Sequence, residues 1–286
     1  MPTTSTFTRR LGLADIPQPA KSVGAHLAAK LQLFHTDERT LTDELCDMLC
    51  IWLGMHACHP TTPTAASRTF MLTISKTTTS EEAKNGADLE LCVSSPLGVK
   101  KCLIQAKVLD PVSGRLRCDS KPGWKKLRTQ LVASRRQVGN LAFLLVYVPG
   151  AVLNGKNYGF WTYEQLGHFT SKGTTPAYFG ATLIPVDALL GPKGRWRNTQ
   201  LKVPQTSVGK FKGGLAFWRV LIELLLCHRS SWSAGTGAKH EGRMQAFRRL
   251  SIGASEITEG MWREFQASAD QYLPPDQSAD NDSDDA

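Results

Sequence analysis

An α/β fold, a mixed β-sheet flanked by helices, is expected from this chain on two grounds. Apolar residues recur at helical spacing up to about residue 53, then switch to the alternating or unbroken apolar runs of strands. One long basic helical stretch interrupts those strands. The resulting order of helix, three strands, helix, strand is that of a mixed sheet.

Taken in order, residues 1–20 are rich in Thr and Pro and are expected to be loosely held. Lys21 to Phe34 places Val23, Leu27, Leu31 and Phe34 at helical period. Thr40-Leu-Thr-Asp43 reads as a capping box opening a second helix, with Leu41, Leu45, Met48, Leu49, Trp52 and Leu53 on its apolar face. His59-Pro-Thr-Thr-Pro breaks it. Strands are then expected at Thr69–Ser75, Ala87–Val93, Val99–Leu109 and the fully apolar Leu141–Val148. Trp124 to Gln137 is the intervening basic helix, and Gly159–Tyr163 and Ala181–Val186 are candidates for further strands. From Gly191 glycine and basic residues dominate to Gly214, followed by an apolar helix over Leu215–Cys227 and a Ser/Gly loop from Ser230 to Gly237. A basic amphipathic stretch around Arg243, Arg248 and Arg249 comes next. The expected organisation is a lead-in with one helix (1–35), a core (36–190), a basic, mainly helical C-terminal region (191–275) and a disordered acidic tail (276–286).

Composition narrows the function. With 286 residues, 41% hydrophobic and 21% charged, the chain can bury a sizeable core. The net charge is +9, yet Asp276 to Ala286 holds five aspartates and no base, so residues 1–275 carry +14. A basic body of that kind suits a polyanionic partner. No apolar run is long enough to span a bilayer, so no membrane partner is expected. The seven cysteines, scattered through apolar segments, fit a reducing cytoplasm. Cys46 and Cys50, followed by His56, Cys58 and His59, suggest zinc, but no CxxC knuckle accompanies them and buried structural cysteines are the better reading. Gly235-Thr-Gly-Ala-Lys239 lacks the spacing of a phosphate loop. No G-x-S-x-G elbow is present, and His168 and His228 lie in apolar surroundings that suit core histidines.

The chemistry concentrates in one predicted hairpin. If Ser95-Pro-Leu-Gly98 is a four-residue loop, Ser94 faces Val99 and, counting back, Asp88 faces Gln105. The strand period of 2 puts Glu90 and Lys107 on that same face. Two carboxylates, a carboxamide and an ammonium thus share one side of otherwise apolar strands, a costly arrangement unless they pair or bind a cation. A hard cation such as Mg²⁺ takes one or two carboxylates with carbonyl oxygens and waters, which Asp88, Gln105 and the Ala106 carbonyl can supply. Lys107 is then placed to polarise water or to neutralise transition-state charge.

Asp88 followed by Gln105-Ala-Lys107 resembles the PD-(D/E)xK nuclease superfamily in its Gln-x-Lys variant. The longer run Glu81-Glu-Ala-Lys-Asn-Gly-Ala-Asp-Leu-Glu, with Gln-Ala-Lys a hairpin later, is similar to an uncharacterised bacterial family within it with a GADxE…QAK signature. The segment Glu38-Arg-Thr-Leu-Thr-Asp43 has its counterpart upstream. The resemblance covers about residues 25–165 and implies a restriction-endonuclease-like core, with a mainly helical C-terminal extension left over. It implies Asp88, Gln105 and Glu38 as metal ligands and Lys107 as the catalytic lysine. Glu90 joins the catalytic set if its carboxylate reaches the cation and restores the charge that Gln removes. Glu44, on the apolar face of the second helix, stays a substitute for Glu38, which precedes the predicted helix start.

Lys121, Lys125, Lys126, Arg128, Arg135 and Arg136, with Trp124, make the basic helix the expected nucleic-acid-binding element. Gln130 is a further candidate there, and Trp196 between Arg195 and Arg197 is a second basic-aromatic spot. The expected function is therefore a cytoplasmic Mg²⁺-dependent endonuclease, with Mn²⁺ able to replace Mg²⁺. Its expected substrate is DNA in preference to RNA, and the resemblance implies bacterial antiviral defence as its context. A regulatory protein or a second copy is the expected further partner. The alternative is a non-catalytic nucleic-acid-binding or scaffold protein with an impaired nuclease site, motivated by Gln105.

Overall fold

The computed structural model describes residues 3–12, 17–34, 36–56, 69–78, 87–95, 98–110, 116–118, 120–150, 180–197, 214–225 and 246–254. Its strands are β1 (Thr3–Gly12), β2 (Thr69–Thr78), β3 (Ala87–Ser95), β4 (Gly98–Val108), β5 (Ala142–Tyr147), β6 (Ala181–Pro185), β7 (Leu215–Ala216) and β8 (Ala246–Ala254). The helices are α1 (Pro17–Leu33), α2 (Glu38–His56), α3 (Lys121–Val138), the single turn α4 (Val186–Leu189) and α5 (Phe217–Leu225). The strands form one mixed sheet in the order β1-β2-β8-β3-β4-β5-β6-β7. The expected α/β class, a mixed sheet flanked by helices, is what this structure has.

Side-chain alternation decides the layers. Leu89, Leu91 and Val93 of β3, with Cys102, Ile104, Ala106 and Val108 of β4, pack against α1, α2 and α5. Leu144 and Val146 of β5 and Ile184 of β6 face the other way, onto Trp124, Leu127 and Leu131 of α3. All six residues of β5 are buried, as expected of a strand covered on both faces. Cys46 and Cys50 lie inside the first of these cores, as structural cysteines do.

Several expectations need correction. Residues 3–12 are a strand, paired antiparallel with β2, instead of a loose end. The α2 cap is Asp37 and not Thr40: the Thr40 N–H donates to Asp37 Oδ1 at 2.9 Å, so the helix starts earlier and Glu38 lies in its first turn. Helix α3 likewise begins at Lys121, because the Ser120 hydroxyl accepts from the Gly123 N–H and a proline sits in the first turn. Ser95 pairs with Gly98, so the β3–β4 pairing runs one step further than the expected four-residue loop allows; the Ser94–Val99 register is as expected.

Residues 191–275 are described at 191–197, 214–225 and 246–254, where the chain is part strand and part helix. This region contributes β7 at one edge of the sheet, α5 to the first core, and β8 to the middle of the sheet between β2 and β3. The reason is a pair of neighbouring arginines pointing to opposite faces of β8. Arg248 Nε reaches Asp43 on α2 at 2.7 Å, and Arg249 Nε reaches Glu90 on β3 at 2.7 Å. Leu250, next along the strand, is fully buried in the first core. Period 2, not a helical face, is what those bases serve. Helix α1, the one helix of residues 1–35, adds Val23, Leu27 and Leu31 to the shared core. Gly159–Tyr163, the 230–237 loop, Arg243 and the 276–286 tail lie outside the described residues, as do Cys58, His59, His168 and His228.

Candidate active site at the end of the central hairpin

Four elements meet where β4 ends. Asp88 is the second residue of β3, one step beyond the Leu89–Ile104 pair, which places it across from Gln105. Gln105 and Lys107 register with Leu144 and Val146 of β5 and so lie on the α3 face of the sheet. Glu38 opens α2, from the opposite layer. The Gln105 amide donates to Asp88 Oδ2, and the Ala106 N–H donates to the same oxygen at 2.7 Å. Lys107 Nζ bonds Glu38 Oε1 at 2.5 Å, closing the group across the end of the strands.

Asp88 is the electrostatic centre of this cluster. Burial pushes its carboxyl up to about 6, and the nearby Glu38 charge adds to that; the Ala106 N–H and the positive charges of Lys107 and Arg39 pull it back. Among the described residues no basic side chain lies within ion-pair distance of it. Gln105 is 2% exposed, and its Oε1 is the buried side-chain oxygen that finds no hydrogen-bond partner among the described residues. An orphaned buried acceptor beside a desolvated carboxylate is costly in the absence of a cation. Turning the amide would bring Oε1 beside Asp88 Oδ2, an arrangement that a cation, or a proton on Asp88, makes favourable.

That donor set suits Mg²⁺. Among the described residues no three His, Cys, Asp or Glu side chains gather as a metal cluster. Mg²⁺ needs fewer, since it keeps several waters and takes one or two carboxylates. Asp88, the Gln105 amide oxygen and Glu38, once its Lys107 contact is exchanged, meet that requirement.

Residues that sequence reading did not single out hold the group in place. Thr42 Oγ1 donates to the Glu38 carbonyl at 2.7 Å and accepts from the fully buried Tyr147 hydroxyl at 3.0 Å, tying the first turn of α2 to β5. Arg117 donates to the Thr36 carbonyl at 3.0 Å and fixes the chain just ahead of the Asp37 cap. In the sequence Tyr147 is legible only as one more residue of an apolar strand, and Thr42 only as part of a misplaced cap.

The remaining candidates are arranged differently. Glu90 is fully buried, but its oxygens are taken by Arg249 at 2.7 Å and Lys101 at 3.1 Å, so its charge is already balanced two residues from Asp88. Glu44 points to α1, bonding His26 at 2.6 Å and also Lys30, and these contacts outweigh partial burial to lower its carboxyl below the usual value. On α3, Lys121, Lys125, Lys126 and Arg136 are exposed, and Arg128 is half-buried. Arg135 is a departure from the phosphate-contact expectation. Its guanidinium serves Asp187 and the carbonyls of Leu190, Gly191 and Pro192, and so holds a neighbouring loop. Gln130 is half-buried on the same helix. Trp196 meets the buried Trp124 edge to face at 5.2 Å, so it acts as packing first.

No helix among the described residues is long and apolar enough to cross a membrane. Compared with known protein families, curated proteins and solved structures, the chain matches none.

Proposed function

We propose that this chain is a Mg²⁺-dependent endonuclease with a restriction-endonuclease-like core, cutting DNA in preference to RNA, in a bacterial defence setting. One observation carries the reading. A half-buried carboxylate without a counter-ion among the described residues, Asp88, stands beside a buried, orphaned amide oxygen, Gln105 Oε1, with Lys107 and Glu38 at the same sheet end. Structural ion-pair networks also bury carboxylates, but they neutralise them, as Glu90 is neutralised here.

When bound, a divalent cation supplies charge neutralisation on a phosphodiester and lowers the pKa of water. Asp88, Gln105 and Glu38 would hold it. Lys107 Nζ, which bonds Glu38 in the structure, would donate to a phosphoryl oxygen where negative charge grows. The Tyr147–Thr42 contact and the Asp37 cap keep Glu38 oriented toward the hairpin. The exposed bases of α3 hold the backbone of the substrate by charge.

The test is nicking of supercoiled plasmid with Mg²⁺, Mn²⁺ or EDTA, for wild type, Asp88→Ala and Lys107→Ala. Metal-dependent nicking that both substitutions abolish is the expected result. DNA held equally well in EDTA and never nicked, under any of these conditions, would favour the non-catalytic alternative.

A further inference from the structure

A second basic feature lies along α3, away from the hairpin. Residues 189–197 form a small hairpin of their own: Leu190 bridges Trp196, the Arg197 N–H donates to the Leu189 carbonyl, and the Gly194 N–H donates to the Gly191 carbonyl. Gly194 has φ 69°, and a Cβ there would stand 3.0 Å from Val132 Cγ2, so glycine is what lets the tip sit against α3. Arg135 clamps the other side through three successive carbonyls and Asp187. The result is a preorganised cleft of about 550 Å³ between α3 and the hairpin.

The charge in that cleft is lopsided. Arg135 and the Asp187 carboxylate answer each other, and Arg197 Nε is engaged with the Asp187 carbonyl. Arg136 and Lys193 are exposed on its walls and have no carboxylate partner among the described residues. The remaining positive charge of Arg136, Lys193 and Arg197 faces an open cleft of mixed polar and apolar lining, and that charge suits a phosphate ester. A smaller cleft of about 270 Å³, lined by Lys121, Lys125, Arg128 and the Trp124–Trp196 pair, continues the same stripe toward the N-terminus of α3. Lys121, Lys125, Arg128, Val132 and Arg135 follow helical spacing along one side of α3. The stripe is about 20 Å long, the axial rise of about six nucleotides of one strand.

We propose that the cleft between α3 and the 189–197 hairpin is a phosphate-binding site for a nucleic-acid backbone, with Arg136, Lys193 and Arg197 as its contacts. It grips the strand at the far end of α3 from the Asp88 site. The length of the stripe selects a polymer over a mononucleotide. This rests on the nuclease reading for its purpose, but not for its measurement.

The test is anisotropy of a labelled DNA duplex in EDTA, across a NaCl series, for wild type and the double variant Arg136→Ala/Lys193→Ala, with pyrophosphate as a small-anion control. Both side chains are exposed, so an unchanged melting midpoint is the folding check. The slope of log affinity against log salt should fall by about 2, near one unit for each phosphate the variant no longer neutralises, with affinity weakened on the order of ten-fold at moderate salt. An unchanged slope in a folded variant overturns the cleft, and wild-type plasmid nicking is read separately. Pyrophosphate bound tightly by wild type and released in the variant, with DNA binding unaltered, overturns the polymer assignment. A cleft-dependent slope in a protein that never nicks DNA supports the cleft and removes the nuclease reading instead.

Discussion

Asp88 and Glu90 stand two residues apart on one face of β3, the first half-buried and the second fully buried, yet they serve opposite ends. Glu90 is met by Arg249 from the neighbouring strand and Lys101 from the hairpin partner, so its charge is spent on holding β8 against β3. Asp88 is met by neutral donors, one side-chain amide and one backbone N–H. Burial of a carboxylate is therefore not by itself a sign of chemistry. What separates a structural acid from a candidate ligand is whether the protein supplies the counter-charge or leaves it to come from outside.

Removing each acid in turn tests that contrast most severely. Asp88→Ala should abolish metal-dependent nicking, on the order of a thousand-fold or more, as expected for loss of transition-state electrostatics, while the protein stays folded by circular dichroism. Lys107→Ala should cost nearly as much in the same assay. Glu90→Gln should do the reverse. It strands Arg249 and Lys101 beside a neutral amide and should cost about 3 kcal/mol in urea unfolding. A stability loss under about 1 kcal/mol would mean that Glu90 is not the clamp of β8.

A pH series probes the two acids more finely. Asp88 titrates at about 6 in the folded protein against an ordinary 3.8, so the folded state holds its proton longer than the unfolded chain does. The stability this group contributes is fully present below pH 3.8 and is lost as pH rises through about 6. The melting midpoint of wild type relative to Asp88→Asn should fall across that window in EDTA. Saturating Mg²⁺ should restore it above about pH 6, and failure of Mg²⁺ to shift wild type alone would count against the site. The smallest expected effect is that of Gln105→Glu. A second carboxylate should lower the Mg²⁺ concentration needed for half-maximal stabilisation and push Asp88 further up in the metal-free protein. Weaker Mg²⁺ dependence would show that the amide oxygen is not a ligand.

Much of this site is local in origin, and local features are what a sequence displays. The Ser94–Val99 register follows from a short turn and a period of 2, and it alone puts Asp88 across from Gln105. The first turn of α2 is harder to read. Asp37 and Thr40 are both good caps, and only the arrangement of Tyr147, Thr42 and Arg117 around the Thr36–Glu38 backbone favours the earlier one. Arg135 and Arg136 are adjacent and chemically alike. One is claimed by carbonyls some fifty residues away, the other faces outward, and nothing local separates them.

Periodicity and one short loop are enough to dictate the α/β class, the hairpin and the residues that share its polar face. Three other outcomes needed the packed layers: β8 entering the centre of the sheet, Arg249 neutralising Glu90, and Glu38 rather than Glu44 standing beside Lys107. Those outcomes depend on contacts between residues far apart in the chain, such as Arg248 with Asp43, 205 positions away. A long-range pairing of this kind leaves no periodic trace in either segment, since each charge finds its partner only after the layers between them have packed.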